Sequence, residues 1–206
     1  MHLDPDAVLW DHAEAEDAPL LVLLHGLGSH EGDLFGLVPH LPAHLNVASL
    51  RAPFVVENGG RAWFEIEFQP EGPPIHSAEQ VIESADAVIG WLDALGDRYS
   101  KIGLLGFSQG AAITLKVANL IPDRLQCVVA LSGLLPRSLE DAQPSKLPAF
   151  IATGDFDPVI TPERSRQFVE WAEANLDATV RHYPMAHQVI AEELADVRDF
   201  LGEHLV

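Results

Sequence analysis

The segment KIGLLGFSQGAA places Ser108 where an apolar run changes into a helical pattern. Gly106 and Gly110 flank it in a G-x-S-x-G arrangement. A turn of this kind lifts a serine hydroxyl above a sheet, and it needs small residues two positions to either side because strand and helix cross closely. The serine itself is held in an unfavourable backbone conformation. The pattern predicts that Ser108 is a nucleophile that attacks an electrophilic carbon.

A serine hydroxyl needs a base within hydrogen-bond reach and a third group that orients the base. Where the nucleophile lies on such a turn, the acid and then the histidine follow it in the chain. The histidines after Ser108 are His182, His187 and His204. His182 falls inside a predicted strand and His204 lies near the chain end, whereas His187 follows that strand at the sheet edge where Ser108 emerges. We therefore predict that His187 is the base.

The segment PAFIATGDFDPVITPE offers two carboxylates as the orienting group. Asp155 directly follows the predicted strand end, where its side chain could instead cap the turn. Asp157 lies further out, and Pro158 keeps it away from helical geometry. We favour Asp157, with Asp155 as the alternative.

The segment LVLLHGLGSHEG ends an apolar run in a glycine-rich loop. A dinucleotide fingerprint would need a glycine at position 31, where Glu31 would repel a phosphate. The loop instead suits the oxyanion that forms when Ser108 attacks a carbonyl. One N–H donor follows the nucleophile, here Gln109, and the other comes from a loop after an earlier strand. We predict Leu27 as the second donor.

Short apolar runs alternate with helical patterns along the chain. Runs of this length are typical of strands covered on both faces, so we expect an α/β fold with a mainly parallel central sheet and helices on both faces. The length suits a single domain over residues 1–206. The predicted strands lie in PLLVLLH, NVASLRAP, KIGLLGFS, QCVVALSG, PAFIATG and ATVRHYP. The predicted helices lie in DLFGLVPHL, GAAITLKVANLI, TPERSRQFVEWAEANL, QVIAEELADVRDFLGEHL and a segment that begins with a capping box at Ser77 and Gln80.

Residues 53–76 interrupt this alternation with aromatic residues among glycines and prolines. We predict a long loop that walls an apolar substrate pocket, with Trp63 and Phe64 as the candidate lining residues. The alternatives are that Phe54, Trp63, Phe64 and Phe68 only pin the loop to the body, or that an apolar loop face makes a homodimer contact.

The composition disfavours several classes of partner. With 31 Asp and Glu against 12 Lys and Arg, the formal charge of -19 disfavours nucleic acid and anionic lipid surfaces as partners. No signal peptide or membrane-spanning run is visible, so we expect a cytoplasmic protein. Cys127, the single cysteine, lies in an apolar run that predicts a buried thiol. The predicted chemistry needs no metal or organic cofactor.

The chain resembles the phospholipase/carboxylesterase family of α/β-hydrolases, which includes bacterial carboxylesterases and acyl-protein thioesterases. The resemblance rests on HGLG, a WF-containing loop, GFSQG, GDFDP and YPMAH in this order, and it extends over nearly the whole chain. It implies Ser108 as nucleophile, Asp157 as acid, His187 as base and Leu27 and Gln109 as oxyanion donors, without a separate lid domain. Two positions depart from the pattern: Ala186 replaces a frequent glycine, and Ser29 replaces an Asp that is common in the thioesterase branch.

We therefore expect a serine carboxylesterase that cleaves short- to medium-chain acyl esters of small molecules through an acyl-enzyme. An acyl-protein thioesterase or a lysophospholipase with the same triad is the alternative, because the triad does not select the leaving group. A non-catalytic ligand-binding module on the same fold is a third hypothesis, which the presence of all three triad candidates disfavours.

Overall fold

A computed structural model describes residues 1–57, 59–67, 69, 75–139 and 142–206. A seven-stranded sheet forms its centre, and two small two-stranded sheets lie outside it. The strands in the described residues are β1 (Leu9–Asp11), β2 (Leu20–Leu24), β3 (Asn46–Leu50), β4 (Phe54–Val55), β5 (Arg61–Ala62), β6 (Ile66–Glu67), β7 (Ile75–His76), β8 (Ile102–Phe107), β9 (Cys127–Leu131), β10 (Pro148–Gly154) and β11 (Asp177–Tyr183).

The central sheet has the strand order β1-β3-β2-β8-β9-β10-β11. All neighbours pair in parallel except β1, which is antiparallel to β3. This confirms the mainly parallel sheet and its six predicted strands, whereas the three-residue strand β1 was not predicted. Because the six strands run in parallel, the loops that follow them meet at one edge of the sheet.

The helices are α1 (Gly32–Phe35), α2 (Ala78–Ala94), α3 (Gln109–Leu120), α4 (Pro162–Asn175) and α5 (Ala191–His204). Buried residues of α2, α3 and α4 belong to the apolar cluster on one face of the sheet, and those of α1 and α5 belong to the cluster on the other face. Alternate residues of β2 enter the two clusters, since successive strand side chains point to opposite faces. The expected helices on both faces are therefore confirmed. No helix among the described residues is long and apolar enough to cross a membrane.

Three local predictions differ from the structure. The helix predicted over DLFGLVPHL is shorter than expected, since only α1 forms and a 3₁₀ turn follows at Val38–His40. This turn contains Pro39, which has no N–H to continue a helix. The capping box is half formed, because Ser77 accepts the N–H of Gln80 at 3.2 Å while the Gln80 side chain accepts the N–H of Glu65 at 2.7 Å. Residues 53–76 are not a loop without regular structure, since they contain the pairs β4–β5 and β6–β7.

Candidate active site

Ser108 occupies the turn between β8 and α3 in a backbone conformation that L-residues rarely adopt. Its φ is 55° and its ψ is -113°. A conformation of this kind costs on the order of 1–3 kcal/mol and persists only where the surroundings enforce it. Here the Ser108 N–H donates to the carbonyl of Leu131 in β9 at 2.8 Å. The residue is 8% exposed, and its side chain lines a cavity at the carboxyl edge of the sheet.

The two glycines of the motif are required by the close crossing of β8, α3 and β2. A Cβ at Gly106 would lie 2.3 Å from the carbonyl oxygen of Gly110. A Cβ at Gly110 would lie 1.9 Å from the carbonyl oxygen of Leu24. Backbone atoms block both positions, so a larger residue could enter only if a main-chain segment moved.

Ser108, His187 and Asp157 form a continuous hydrogen-bonded chain. The Nε2 atom of His187 is 2.9 Å from the Ser108 Oγ, and its Nδ1 atom is 2.7 Å from the Asp157 Oδ2. Asp157 follows β10 and His187 follows β11, so neighbouring parallel strands deliver both residues to the edge where Ser108 emerges. The Phe107 ring packs against the imidazole with a centroid distance of 4.9 Å. This order of groups can transfer a proton from the serine hydroxyl to the histidine.

The second carboxylate oxygen of Asp157 is also occupied. Its Oδ1 atom accepts the N–H groups of Val159 at 2.7 Å and Ile160 at 2.8 Å. The side chain is 1% exposed, compared with 17% for His187. Fixed backbone donors therefore leave the Oδ2 atom directed at the imidazole.

The other candidates for the acid and the base lie outside this hydrogen-bonded chain. Asp155 is exposed, and its N–H donates to the carbonyl of Tyr183. His182 is exposed on β11, where its Nδ1 atom lies 2.7 Å from the Thr153 Oγ1. His204 belongs to the last turn of α5 and packs against Phe200. The structure thus joins Ser108 with Asp157 and His187 rather than with these alternatives.

The predicted oxyanion donors, Leu27 and Gln109, border the same cavity as Ser108. Gln109 is the first residue of α3, where N–H groups have no acceptor within the helix. Leu27 precedes Gly28, whose φ of 75° turns the loop after β2. Further along this loop, Arg51 donates a hydrogen bond to the carboxylate of Glu31 and lowers the pKa of that carboxyl to about 2. Glu31 is therefore ionised, and its contact with Arg51 anchors the loop. The donor role of the two N–H groups stays a prediction.

The cavity has a volume of about 270 Å³. Apolar side chains form much of its wall, and burial together with the positive charges of Arg137 and Arg164 lowers the pKa of His76, which lies on this wall. The described lining residues are Leu27, Ile66, His76, Ser108, Gln109, Leu134, Val159, Ile160, Arg164 and His187.

The prediction that Trp63 and Phe64 line the pocket is wrong. Both side chains are fully buried in the core and are absent from the cavity wall. The Trp63 indole N–H donates to the carbonyl of His25 at 2.9 Å, and the Phe64 ring packs against His76. Residues 53–76 contribute Ile66 and His76 to the wall instead. Phe68 lies outside the described residues.

Some residues that line the cavity were not predicted, although their positions in the sequence carried a signal. Leu134 follows β9, and Val159 and Ile160 follow Asp157, so each lies beyond the carboxyl end of a strand. Ile66 and His76 carry no such signal, because the path of their segment depends on contacts distant in the chain.

Cys127 is a buried residue of β9, as expected. It is free and fully inaccessible, and burial raises the pKa of its thiol to about 12. A thiol in this state is an apolar core group rather than a nucleophile. Within the described ranges, no group of three or more His, Cys, Asp or Glu side chains could hold a metal ion.

Comparisons with known proteins identify the family to which the chain belongs. The family model described as Phospholipase/Carboxylesterase matches residues 10–205. Acyl-protein thioesterase 1 of Saccharomyces cerevisiae is 30% identical, with 90% of this chain and 92% of that protein covered. The structure of Zea mays acyl-protein thioesterase 2 matches with a TM-score of 0.79 at 25% identity, covering 95% of this chain and 97% of that one. The structure of the Bacillus cereus carboxylesterase matches with a TM-score of 0.82 at 24% identity, covering 95% of this chain and 93% of that one. The chain therefore belongs to the phospholipase/carboxylesterase family of α/β-hydrolases, and the protein is a serine hydrolase.

Proposed function

We propose that the protein is a serine carboxylesterase that hydrolyses short- to medium-chain acyl esters, with residues 1–206 acting as one domain. The observation that carries this proposal is the chain of contacts from Ser108 through His187 to Asp157, at 2.9 Å and 2.7 Å, which opens into a small apolar cavity. Nucleophile, base and orienting acid follow the order that this chemistry requires.

The first half of the reaction acylates Ser108. Its Oγ atom attacks the ester carbonyl carbon while its proton moves to the Nε2 atom of His187. Asp157 accepts a hydrogen bond from the Nδ1–H of His187 throughout, so it stabilises the imidazolium that forms. The N–H groups of Leu27 and Gln109 donate to the oxyanion. When the intermediate collapses, the alcohol leaves with the proton held by His187.

The second half releases the acid. His187 takes a proton from a water molecule, whose oxygen attacks the carbonyl carbon of the acyl-enzyme. Collapse of the second tetrahedral intermediate breaks the bond to the Ser108 Oγ, and His187 returns the proton to this atom. Each group ends the cycle in its starting state, so the reaction consumes only ester and water.

The shape of the cavity supports small acyl groups. Its volume of about 270 Å³ lies just below the range of roughly 300–1,000 Å³ that is typical of pockets for drug-sized ligands. Leu134, Val159 and Ile160 supply apolar contacts for an acyl chain. Because each methylene contributes about 0.8 kcal/mol when it is buried, kcat/KM should rise with chain length until the cavity is filled and then fall.

Thioester hydrolysis is the second candidate, because relatives at up to 30% identity carry the name acyl-protein thioesterase 1. A thiol leaves more readily than an alcohol and depends less on the proton from His187. The formal charge of -19 disfavours anionic phospholipid surfaces and coenzyme A thioesters. Oxygen and sulfur esters with the same acyl chain separate the two functions by their kcat/KM values.

The test is hydrolysis of p-nitrophenyl esters from acetate to palmitate by the wild type, Ser108→Ala and Ser132→Ala. Ser132 is a matched control, because it is the other non-glycine residue with positive φ among the described residues, and it is also buried. We expect turnover with the wild type and Ser132→Ala, a maximum at short or medium chains, and background rates with Ser108→Ala. Equal activity of Ser108→Ala and the wild type would refute the proposed nucleophile. A wild type that hydrolyses none of these esters would refute the proposed function.

A further inference from the structure

The side chain of Gln109 does not extend freely into the cavity, since both of its polar atoms are bound to a neighbouring segment. Its Oε1 atom accepts the N–H of Trp63 at 2.7 Å, and its Nε2 atom donates to the carbonyl of Phe64 at 2.6 Å. Gln109 is 1% exposed. The side-chain amide of Gln109 therefore holds this residue in place, and its main-chain N–H is a proposed oxyanion donor.

The same segment also holds the loop that carries the other proposed donor. The Trp63 indole N–H donates to the carbonyl of His25 at 2.9 Å. The carbonyl of Arg61 accepts the N–H of Gly28, and the N–H of Arg61 donates to the carbonyl of Ser29, both at 2.8 Å. Leu27 lies between these anchored positions. Residues 61–64 therefore contact both sides of the predicted oxyanion site.

The imidazole of His25 fixes the peptide plane at Leu27. Its Nε2 atom accepts the N–H of Ala52 at 3.1 Å, so the proton resides on Nδ1, which donates to the carbonyl of Gly26 at 2.8 Å. That carbonyl and the N–H of Leu27 belong to one planar peptide group. The direction of the N–H therefore follows from the position of the ring, which is fully buried.

We propose that residues 61–64, which we name the brace, set the separation of the Leu27 and Gln109 N–H groups, with Trp63 and the Gln109 side chain as positioning residues. The hydroxyl of Ser84 in α2 donates to the carbonyl of Trp63 and anchors the brace to the body of the protein. This inference rests on the proposed function. The two oxyanion donors are main-chain N–H groups, which side-chain substitution cannot delete. The brace assigns their geometry to side chains that substitution can change.

The variant Gln109→Met tests the brace, because methionine has a similar length but makes neither hydrogen bond, and the main-chain N–H remains. The matched control is Asn46→Leu. The amide of Asn46 also joins two backbone groups, donating to the carbonyl of Ala18 at 3.0 Å and accepting the N–H of Ala13 at 3.3 Å, and it is buried. It lies at the amino end of β3, the edge of the sheet opposite Ser108.

With p-nitrophenyl acetate, we expect Gln109→Met to lower kcat by about 10- to 100-fold with KM changed less than about threefold, since oxyanion contacts act mainly in the transition state. Asn46→Leu should keep kcat within about twofold of the wild type at a similar loss of Tm. The brace is refuted if kcat falls equally in both variants, or if Gln109→Met keeps kcat within twofold.

The variant Gln109→Glu adds a readout that a purely structural role would not move. A protonated glutamate can accept from Trp63 and donate to Phe64, whereas an ionised one cannot donate. The ratio of its kcat to that of the wild type should therefore rise as the pH falls. A ratio that falls as the pH falls would contradict the brace.

Hydrogen exchange separates failure of the brace from failure of the proposed function. In Gln109→Met, amides in segments 25–29 and 107–111 should exchange at least about tenfold faster than in the wild type, and Asn46→Leu should leave them unchanged. If the wild type hydrolyses no ester, the proposed function fails and exchange alone decides on the brace. Unchanged exchange in both segments would overturn it.

Discussion

Replacing Asp157 by asparagine should invert the proton arrangement of His187 without changing the shape of the site. The N–H groups of Val159 and Ile160 donate to the Oδ1 atom and need an acceptor there. The asparagine oxygen must take this position, so its NH₂ group faces the Nδ1 atom of His187. Nδ1 then accepts a hydrogen bond from this NH₂ group, so the imidazole proton resides on Nε2. The Nε2 atom, which should receive the proton of Ser108, is then already protonated.

The loss should be large, because the variant blocks proton transfer itself. The same exchange of tautomer in a serine protease lowers kcat by about ten-thousandfold, which corresponds to about 5.5 kcal/mol in the activation barrier. The backbone bonds to the side-chain oxygen remain, so Tm should fall by only a few degrees. Activity and folding are thus separated in one variant.

The assay is kcat/KM for p-nitrophenyl acetate, with a thermal melt of each protein. Asp155→Asn is the control, since this carboxylate lies two residues away and is exposed. We expect Asp155→Asn to stay within about twofold of the wild type. The reasoning fails if Asp157→Asn retains more than a tenth of wild-type kcat/KM, or if Asp155→Asn loses as much.

Two further predictions concern the packing of the turn and a buried acid. Gly110→Ala should lower the free energy of unfolding by about 3 kcal/mol or more, because its Cβ would lie 1.9 Å from the Leu24 carbonyl oxygen. Gly90→Ala is the control in urea unfolding, because a Cβ there meets no atom within 4 Å beyond its neighbours and the backbone of its own helix. Equal stability of both variants would contradict this prediction. Burial raises the pKa of Glu193 from 4.5 to about 7, so the native state binds more protons than the unfolded chain and loses stability as the pH rises from about 4.5 to 7. Glu193→Gln should therefore be more stable than the wild type by on the order of 3 kcal/mol at pH 8 and equally stable near pH 4; a difference independent of pH would refute this.

The fold could be predicted where local pattern and burial agree. The apolar runs of β2, β8 and β9 are buried on both faces, so their sequence alone indicates a parallel sheet. The strand β1 has no such pattern, because its three residues are partly exposed and it pairs at the edge of the sheet. Its formation depends on β3, which is distant in the chain.

The site was predictable where a residue type with a definite chemistry follows a strand end. Ser108, Asp157 and His187 satisfy this condition, and the structure brings them together. Trp63 and Phe64 were misplaced because aromatic residues suit a pocket wall and a buried core equally well. The contacts that decide between these environments involve His25 and Gln109, whose relation to the loop is not visible in the sequence.

The most direct test of the central claim is the mass of the acyl-enzyme. The protein is mixed with excess p-nitrophenyl acetate, quenched with acid within the first turnover, and digested for mass spectrometry. We predict one acetyl group per chain, located on Ser108 in the peptide that contains GFSQG, and no acetylation of Ser108→Ala. An acetyl group on another residue, or full ester turnover by a protein that never carries one, would contradict the account.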